Sequence, residues 1–110
     1  MLLASLSAAG FRVTLTNSGD EAKQVFEADP AFDLLLTDIV MPGRLQGPLL
    51  ARELRTLRSD LPVVFLSGYA NEAKVHGNGL RTEDIRLMKP VRSAELVAAV
   101  ELALRTKQKS

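Results

Sequence analysis

At 110 residues the chain has the length of a single domain, and its 46% hydrophobic and 25% charged residues are ordinary for a globular protein. The 14 Lys and Arg nearly balance the 13 Asp and Glu, and a net charge of +1 gives no electrostatic case for direct nucleic-acid binding. With no cysteine, disulfides, thiolate zinc sites and thiol catalysis are excluded, and no apolar run is long enough to cross a bilayer.

The N-terminal MLLASLSAAG lacks the basic region and continuous apolar core of a signal peptide, so the expected location is cytoplasmic. Leu2, Leu3, Leu6 and Ala9 fall at helical spacing, and Gly10 suits the left-handed position just past a helix end. Phe11–Thr16 alternates Phe11, Val13 and Leu15 with Arg12, Thr14 and Thr16, which is strand periodicity. Asn17-Ser18-Gly19 is turn chemistry, and Ser18 or Asp20 can cap a short helix carrying Ala22, Val25 and Phe26, which stops before Pro30. Leu34–Leu36 is an unbroken apolar run, too short for a typical helix, and reads as a strand buried on both faces. Met41 to Pro48 is a loop by its Pro and Gly content. Leu50, Leu54 and Leu57 then mark a helix, with Arg52, Arg55 and Arg58 around its wetter faces. Leu61–Leu66 is a second apolar strand with Pro62 at its start. Residues 71–84 are weakly patterned around His76-Gly77-Asn78-Gly79, and a short or irregular helix is expected there. Ile85–Met88 reads as a brief strand. Ser93 is placed to cap a last helix with the stripe Leu96, Val97, Val100 and Leu104.

Strands alternating with helices through short loops predict an α/β layered fold in one domain spanning 1–110. Asp38, Ser67 and Lys89 then each occupy the carboxyl end of a predicted strand, and parallel strands place those ends on one rim. Ligands of open α/β sheets bind in the crevice beyond that rim. Each residue alone has a plainer reading: Asp38 as a turn former, Ser67 as a cap, Lys89 as a solvated charge. Together they suit formation of an aspartyl phosphate. Asp38 would be the carboxylate nucleophile, Lys89 a point charge for the phosphoryl oxygens and Ser67 a hydrogen-bond donor.

Asp38-Ile39-Val40-Met41-Pro42, Gly47, Ser67 within FLSGYA, and Lys89-Pro90, in this order and spacing, resemble a response-regulator receiver domain of two-component signalling. The wording FLSGYA and the loop MPGRLQG are most similar to receivers attached to, or working beside, hybrid sensor histidine kinases. The resemblance covers essentially the whole chain. It implies a flavodoxin-like, doubly wound parallel sheet of order 2-1-3-4-5. It also implies Asp38 as phosphoacceptor, Ser67 as the hydroxyl that turns toward the phosphoryl group and Lys89 as the ammonium partner. A cis bond before Pro90 and a Mg²⁺ ion held by Asp38 and the backbone carbonyl of Val40 complete the implied site. The implied partner is a sensor histidine kinase or a phosphotransfer protein. No membrane is implied.

The chain departs from the family pattern in two places. Receivers begin with a strand ending in an acidic pair, whereas these 110 residues open within the first helix, so strand 1 and its acids are absent from them. Asp20 and Glu21 lie at the start of the next helix, and Asp29 and Asp33 fall on the opposite rim, so none replaces the pair. Weak Mg²⁺ binding and slow or absent phosphorylation are expected. The gap is explained by a start site assigned too late, by a rearranged strand pairing, or by a strand supplied from another chain, as in a strand-exchanging homodimer. The second departure is Arg86, where the family usually carries an aromatic switch residue; a guanidinium cannot be buried there without a partner. Tyr69 could gate access to the phosphoryl group instead and, with apolar Val40, would slow attack by water and give a long-lived phosphoform. His76, the single histidine, reads as a surface residue.

Two other functions compete with the phosphoacceptor. A pseudo-receiver that binds proteins without phosphorylation is favoured by the missing acids and Arg86, and opposed by Asp38, Ser67 and Lys89. A haloacid-dehalogenase-type phosphatase needs a second Asp two residues after the nucleophile; Val40 stands there, and no room remains for a cap domain.

Overall fold

The computed structural model describes residues 2–40, 45–68 and 84–109. In chain order the elements are α1 (Leu2–Ala8), α2 (Gly19–Ala28), β1 (Leu35–Asp38), α3 (Gly47–Leu57), β2 (Val63–Ser67), β3 (Ile85–Met88) and α4 (Ser93–Lys109). The loop residues 41–44, Tyr69 and the segment 71–83 with His76 lie outside the described residues.

Each element starts where its sequence allows. Gly10, past the end of α1, has φ +97°, a conformation that favours glycine. Ser18 Oγ accepts from the Glu21 N–H at 3.1 Å and caps α2, while Glu21 Oε1 accepts from the Asn17 N–H. Asp29 Oδ1 accepts from the Ala31 N–H, so this acid shapes the turn at Pro30. Pro48 sits in the first turn of α3, where no backbone donor is needed. Ser93 is the first residue of α4 rather than its cap: the Arg92 carbonyl accepts from Leu96, and the Ser93 hydroxyl meets Ser5 Oγ of α1 at 2.6 Å.

The sheet is parallel, in the order β1-β2-β3. Leu35 to Asp38 pair with Val63 to Leu66, and Val64 to Ser67 with Ile85 to Met88. Strand alternation feeds two cores. Val63 and Phe65 point to the face holding Ile39 and Ala51, beside the Phe26, Leu50 and Leu54 cluster of α2 and α3. Val64 points to the opposite face, where Ala99 and Ala103 of α4 adjoin Leu6, Leu96 and Val100. Every residue of β2 is therefore buried, as an apolar run in a doubly covered parallel strand requires.

Two further expectations are corrected. Phe11–Thr16 forms no strand and belongs to no ladder. Phe11 and Val13 still pack on the α4 side near Leu34 and Leu36, whereas Leu15 is 70% exposed, so only the first half of the alternation is matched by burial. Among the described residues the Phe11 N–H donates to the Leu6 carbonyl and no neighbouring strand lies beside the segment, so strand periodicity alone does not make a sheet. The second concerns Arg55, which is buried rather than on a wet face of α3. Its guanidinium forks onto Asp84, and its Nε donates to the Leu61 carbonyl at 3.1 Å. Arg58 turns back to the Pro30 and Phe32 carbonyls, tying the end of α3 to the entry of β1.

Candidate functional site

Parallel pairing brings the carboxyl ends of the strands to one rim: Asp38 ends β1, Ser67 ends β2, and Lys89 directly follows β3. Two backbone bonds stitch these ends together. Ile39 N–H donates to the Leu66 carbonyl at 2.9 Å, and Lys89 N–H to the Ser67 carbonyl at 2.8 Å. The adjacency of the three residues is thus a consequence of strand register.

Lys89 Nζ stands 2.9 Å from Asp38 Oδ1, with the two side chains 46% and 37% exposed. Oδ1 itself is buried and has no hydrogen-bond partner among the described residues. The contact is short yet outside hydrogen-bonding angles, so charge attraction rather than a directed bond holds it. Ser67 is buried beside them. The Lys89–Pro90 peptide is cis. A carboxylate with an exposed flank can act as a nucleophile, and an ammonium beside it can neutralise the charge of an incoming phosphoryl group.

Two further residues address the backbone of Asp38. Thr37 is buried and its hydroxyl donates to the Asp38 carbonyl at 3.0 Å. Gly47 opens α3 so close to that carbonyl that no side chain fits between them. Thr37, the polar residue at the end of the run Leu34–Leu36, was the available sequence signal for the first. Gly47 is among the residues that carry the family resemblance, but its closeness to the Asp38 carbonyl is visible only in the tertiary structure.

A Mg²⁺ ion takes octahedral oxygens, commonly one or two carboxylates with phosphate and waters. Asp38 Oδ1, buried and met by the Lys89 ammonium at 2.9 Å, is a fitting oxygen, and Val40, the expected carbonyl donor, lies two residues on at the same strand end. No group of three His, Asp or Glu gathers among the described residues. The residues present therefore fit the ion at the lower limit of its usual donor set. Arg86 lies exposed on β3, opposite the face of Ile85 and Leu87. Tyr69, the other switch candidate, is outside the described residues. No helix among the described residues is long and apolar enough to cross a membrane.

The chain matches the family model of the response regulator receiver domain over residues 1–101. It is 35% identical over 103 residues to the response regulator receiver protein CpdR of Brucella abortus, covering 94% of this chain and 84% of that protein. It is also 39% identical over 70 residues to the sensor kinase CckA of the same organism, covering 63% of this chain and 7% of the kinase. Among solved structures, a response regulator receiver protein from Sinorhizobium medicae superposes with a TM-score of 0.85 at 33% identity, covering 96% of this chain and 84% of that one. A doubly wound parallel sheet, an acid, a hydroxyl and an ammonium on its carboxyl rim, and a match spanning nearly the whole chain all agree: the chain belongs to the response regulator receiver domain family, the signalling domains of two-component systems.

Proposed function

We propose that Asp38 accepts a phosphoryl group from a histidine kinase or a phosphotransfer protein and that the domain relays the resulting change to a protein partner in the cytoplasm. The observation that carries this reading is Lys89 Nζ at 2.9 Å from Asp38 Oδ1 on the strand-end rim. In the reaction, an Asp38 carboxylate oxygen forms a bond to phosphorus while the bond from phosphorus to the donor breaks, its electron pair leaving with the donor. Lys89 then balances charge on the phosphoryl oxygens, and the Ser67 hydroxyl donates to one of them. Asp38 and the Val40 carbonyl would hold Mg²⁺, which supplies further charge neutralisation when bound. Val40, 40% exposed beside Asp38, hinders water and favours a long-lived phosphoform, with Tyr69 as a second barrier.

Intact mass after incubation with a small acyl phosphate and Mg²⁺, for the wild type beside Asp38→Ala, tests this reading. An adduct on the wild type alone is expected. Adducts on both, or on neither, would overturn it.

A second reading is an interaction module that needs no phosphorylation. It is favoured by Asp38 being the one carboxylate that the described strands carry at their carboxyl ends, and by the open side of β1, which pairs only with β2 among the described residues. Such an edge can take an added strand, including one from a second copy of this chain. Concentration-dependent dimerisation without phosphoryl uptake would favour it.

A further inference from the structure

The end of β1 and the start of α3 lie against each other. Gly47, first residue of α3, donates its N–H to the Ile39 carbonyl at 3.0 Å and so closes the path from the end of β1 to the helix. A Cβ at Gly47 would stand 2.0 Å from the Asp38 carbonyl oxygen, 3.0 Å from its carbonyl carbon and 3.1 Å from Ile39 Cα. All three are backbone atoms, and Ile39 is itself pinned to Leu66 at 2.9 Å. They cannot swing aside as the tip of a flexible side chain could. The φ of Gly47 is not positive, so any residue could adopt its backbone conformation. What the position demands is space, and the atom that claims the space belongs to Asp38.

We propose that Gly47 is a positioning residue for Asp38: by carrying no side chain it lets α3 start against the Asp38 peptide, and this contact sets the direction in which the carboxylate leaves the sheet. The Asp38 carboxyl is joined to that peptide through two single bonds. A displaced peptide therefore changes its approach to Lys89 and to an incoming phosphoryl donor. The effect is transmitted through Asp38 itself, and Gly47 touches no reacting atom. This inference rests on Asp38 being the acceptor, but its geometric core can be tested without phosphorylation.

The same loop holds an internal comparison. A Cβ at Gly19 would stand 2.7 Å from the Leu45 carbonyl oxygen and 2.8 Å from Leu45 Cβ, two residues before Gly47 and not against Asp38. Gly19→Ala thus strains the neighbouring packing while sparing the Asp38 peptide.

The experiment compares wild type, Gly47→Ala and Gly19→Ala in three measurements. These are the rate of adduct formation with a small acyl phosphate and Mg²⁺, stability in urea, and the ¹³C resonances of the Asp38 carbonyl and carboxyl carbons. Gly47→Ala is expected to slow adduct formation about 100-fold, as sub-ångström to ångström misplacement does, and to move both Asp38 resonances. Gly19→Ala should keep the rate within about threefold, well inside such a misplacement effect, and leave those resonances in place even where it lowers stability. Rates that fall together in proportion to lost stability would overturn the proposal, as would unchanged Asp38 resonances in Gly47→Ala. Should the wild type take up no phosphoryl group, the acceptor reading fails and the resonances alone decide the positioning. Should Gly47→Ala not fold, the resonances are read in an osmolyte that restores folding, where wild-type Asp38 signals would overturn the proposal.

Discussion

Arg55 and Asp84 lie 29 residues apart and meet in a forked ion pair, with Nη2 to Oδ1 at 2.6 Å and Nη1 to Oδ2 at 3.0 Å. Their side chains are 5% and 2% exposed. The pair fastens α3 to the entry of β3 at the amino end of the sheet, away from Asp38. Removing one partner strands a buried charge, whereas removing both does not. Arg55→Met or Asp84→Asn is expected to lower unfolding free energy by about 3–5 kcal/mol. Urea denaturation should show the double replacement to be far less damaging than the sum of the two.

Lys89 and Asp38 present the opposite case. Their contact is half exposed, where ion pairs contribute little, about 0–1 kcal/mol. Lys89→Met should therefore leave the urea midpoint nearly unchanged. Phosphoryl uptake should fall about 100-fold, because a preorganised charge at the developing anion is lost. A large loss of stability with unchanged uptake would reverse the assignment of Lys89.

The open flank of the sheet has a measurable signature. Amide exchange is governed by hydrogen bonding and burial. No backbone bond within the described residues protects the N–H groups of Arg12 to Thr16, so these should exchange near the unprotected rate. Val64 and Phe65, central in the sheet, should be among the slowest. Protection of residues 12–16 that grows with protein concentration would point to strand pairing between copies.

Ser18 supplies the N-cap of α2, and its loss is separable from the site. Ser18→Ala should cost about 1 kcal/mol and Ser18→Gly only a few tenths, because glycine tolerates the cap conformation. Thermal or urea unfolding of both variants checks the order. Phosphoryl uptake should follow the wild type in each.

The elements most legible in the sequence were those whose own residues decide them. Ile85–Met88 is a strand with the expected bounds, and the apolar runs at Leu34–Leu36 and Leu61–Leu66 both become parallel strands, shifted by one or two residues. Leu50, Leu54 and Leu57 belong to a helix as their spacing requires, although Leu57 remains 54% exposed at its end. The burial of Arg55 is not legible locally: periodicity places it beside a polar face, and the carboxylate that compensates its burial comes from Asp84, far along the chain. The role of Ser93 is hidden in the same way, because its hydroxyl meets Ser5 of another helix.

By itself, the sequence determined the layered α/β class and placed Asp38, Ser67 and Lys89 at strand ends, since hydrophobic period and turn chemistry are local properties. Tertiary structure decided which strands pair, how near Lys89 comes to Asp38, and that Gly47 must be bare. Those outcomes depend on register and on backbone surfaces meeting across long separations. Phe11–Thr16 marks the division: its alternation is written in the residues, but a strand exists only where a second backbone lies alongside to share its hydrogen bonds.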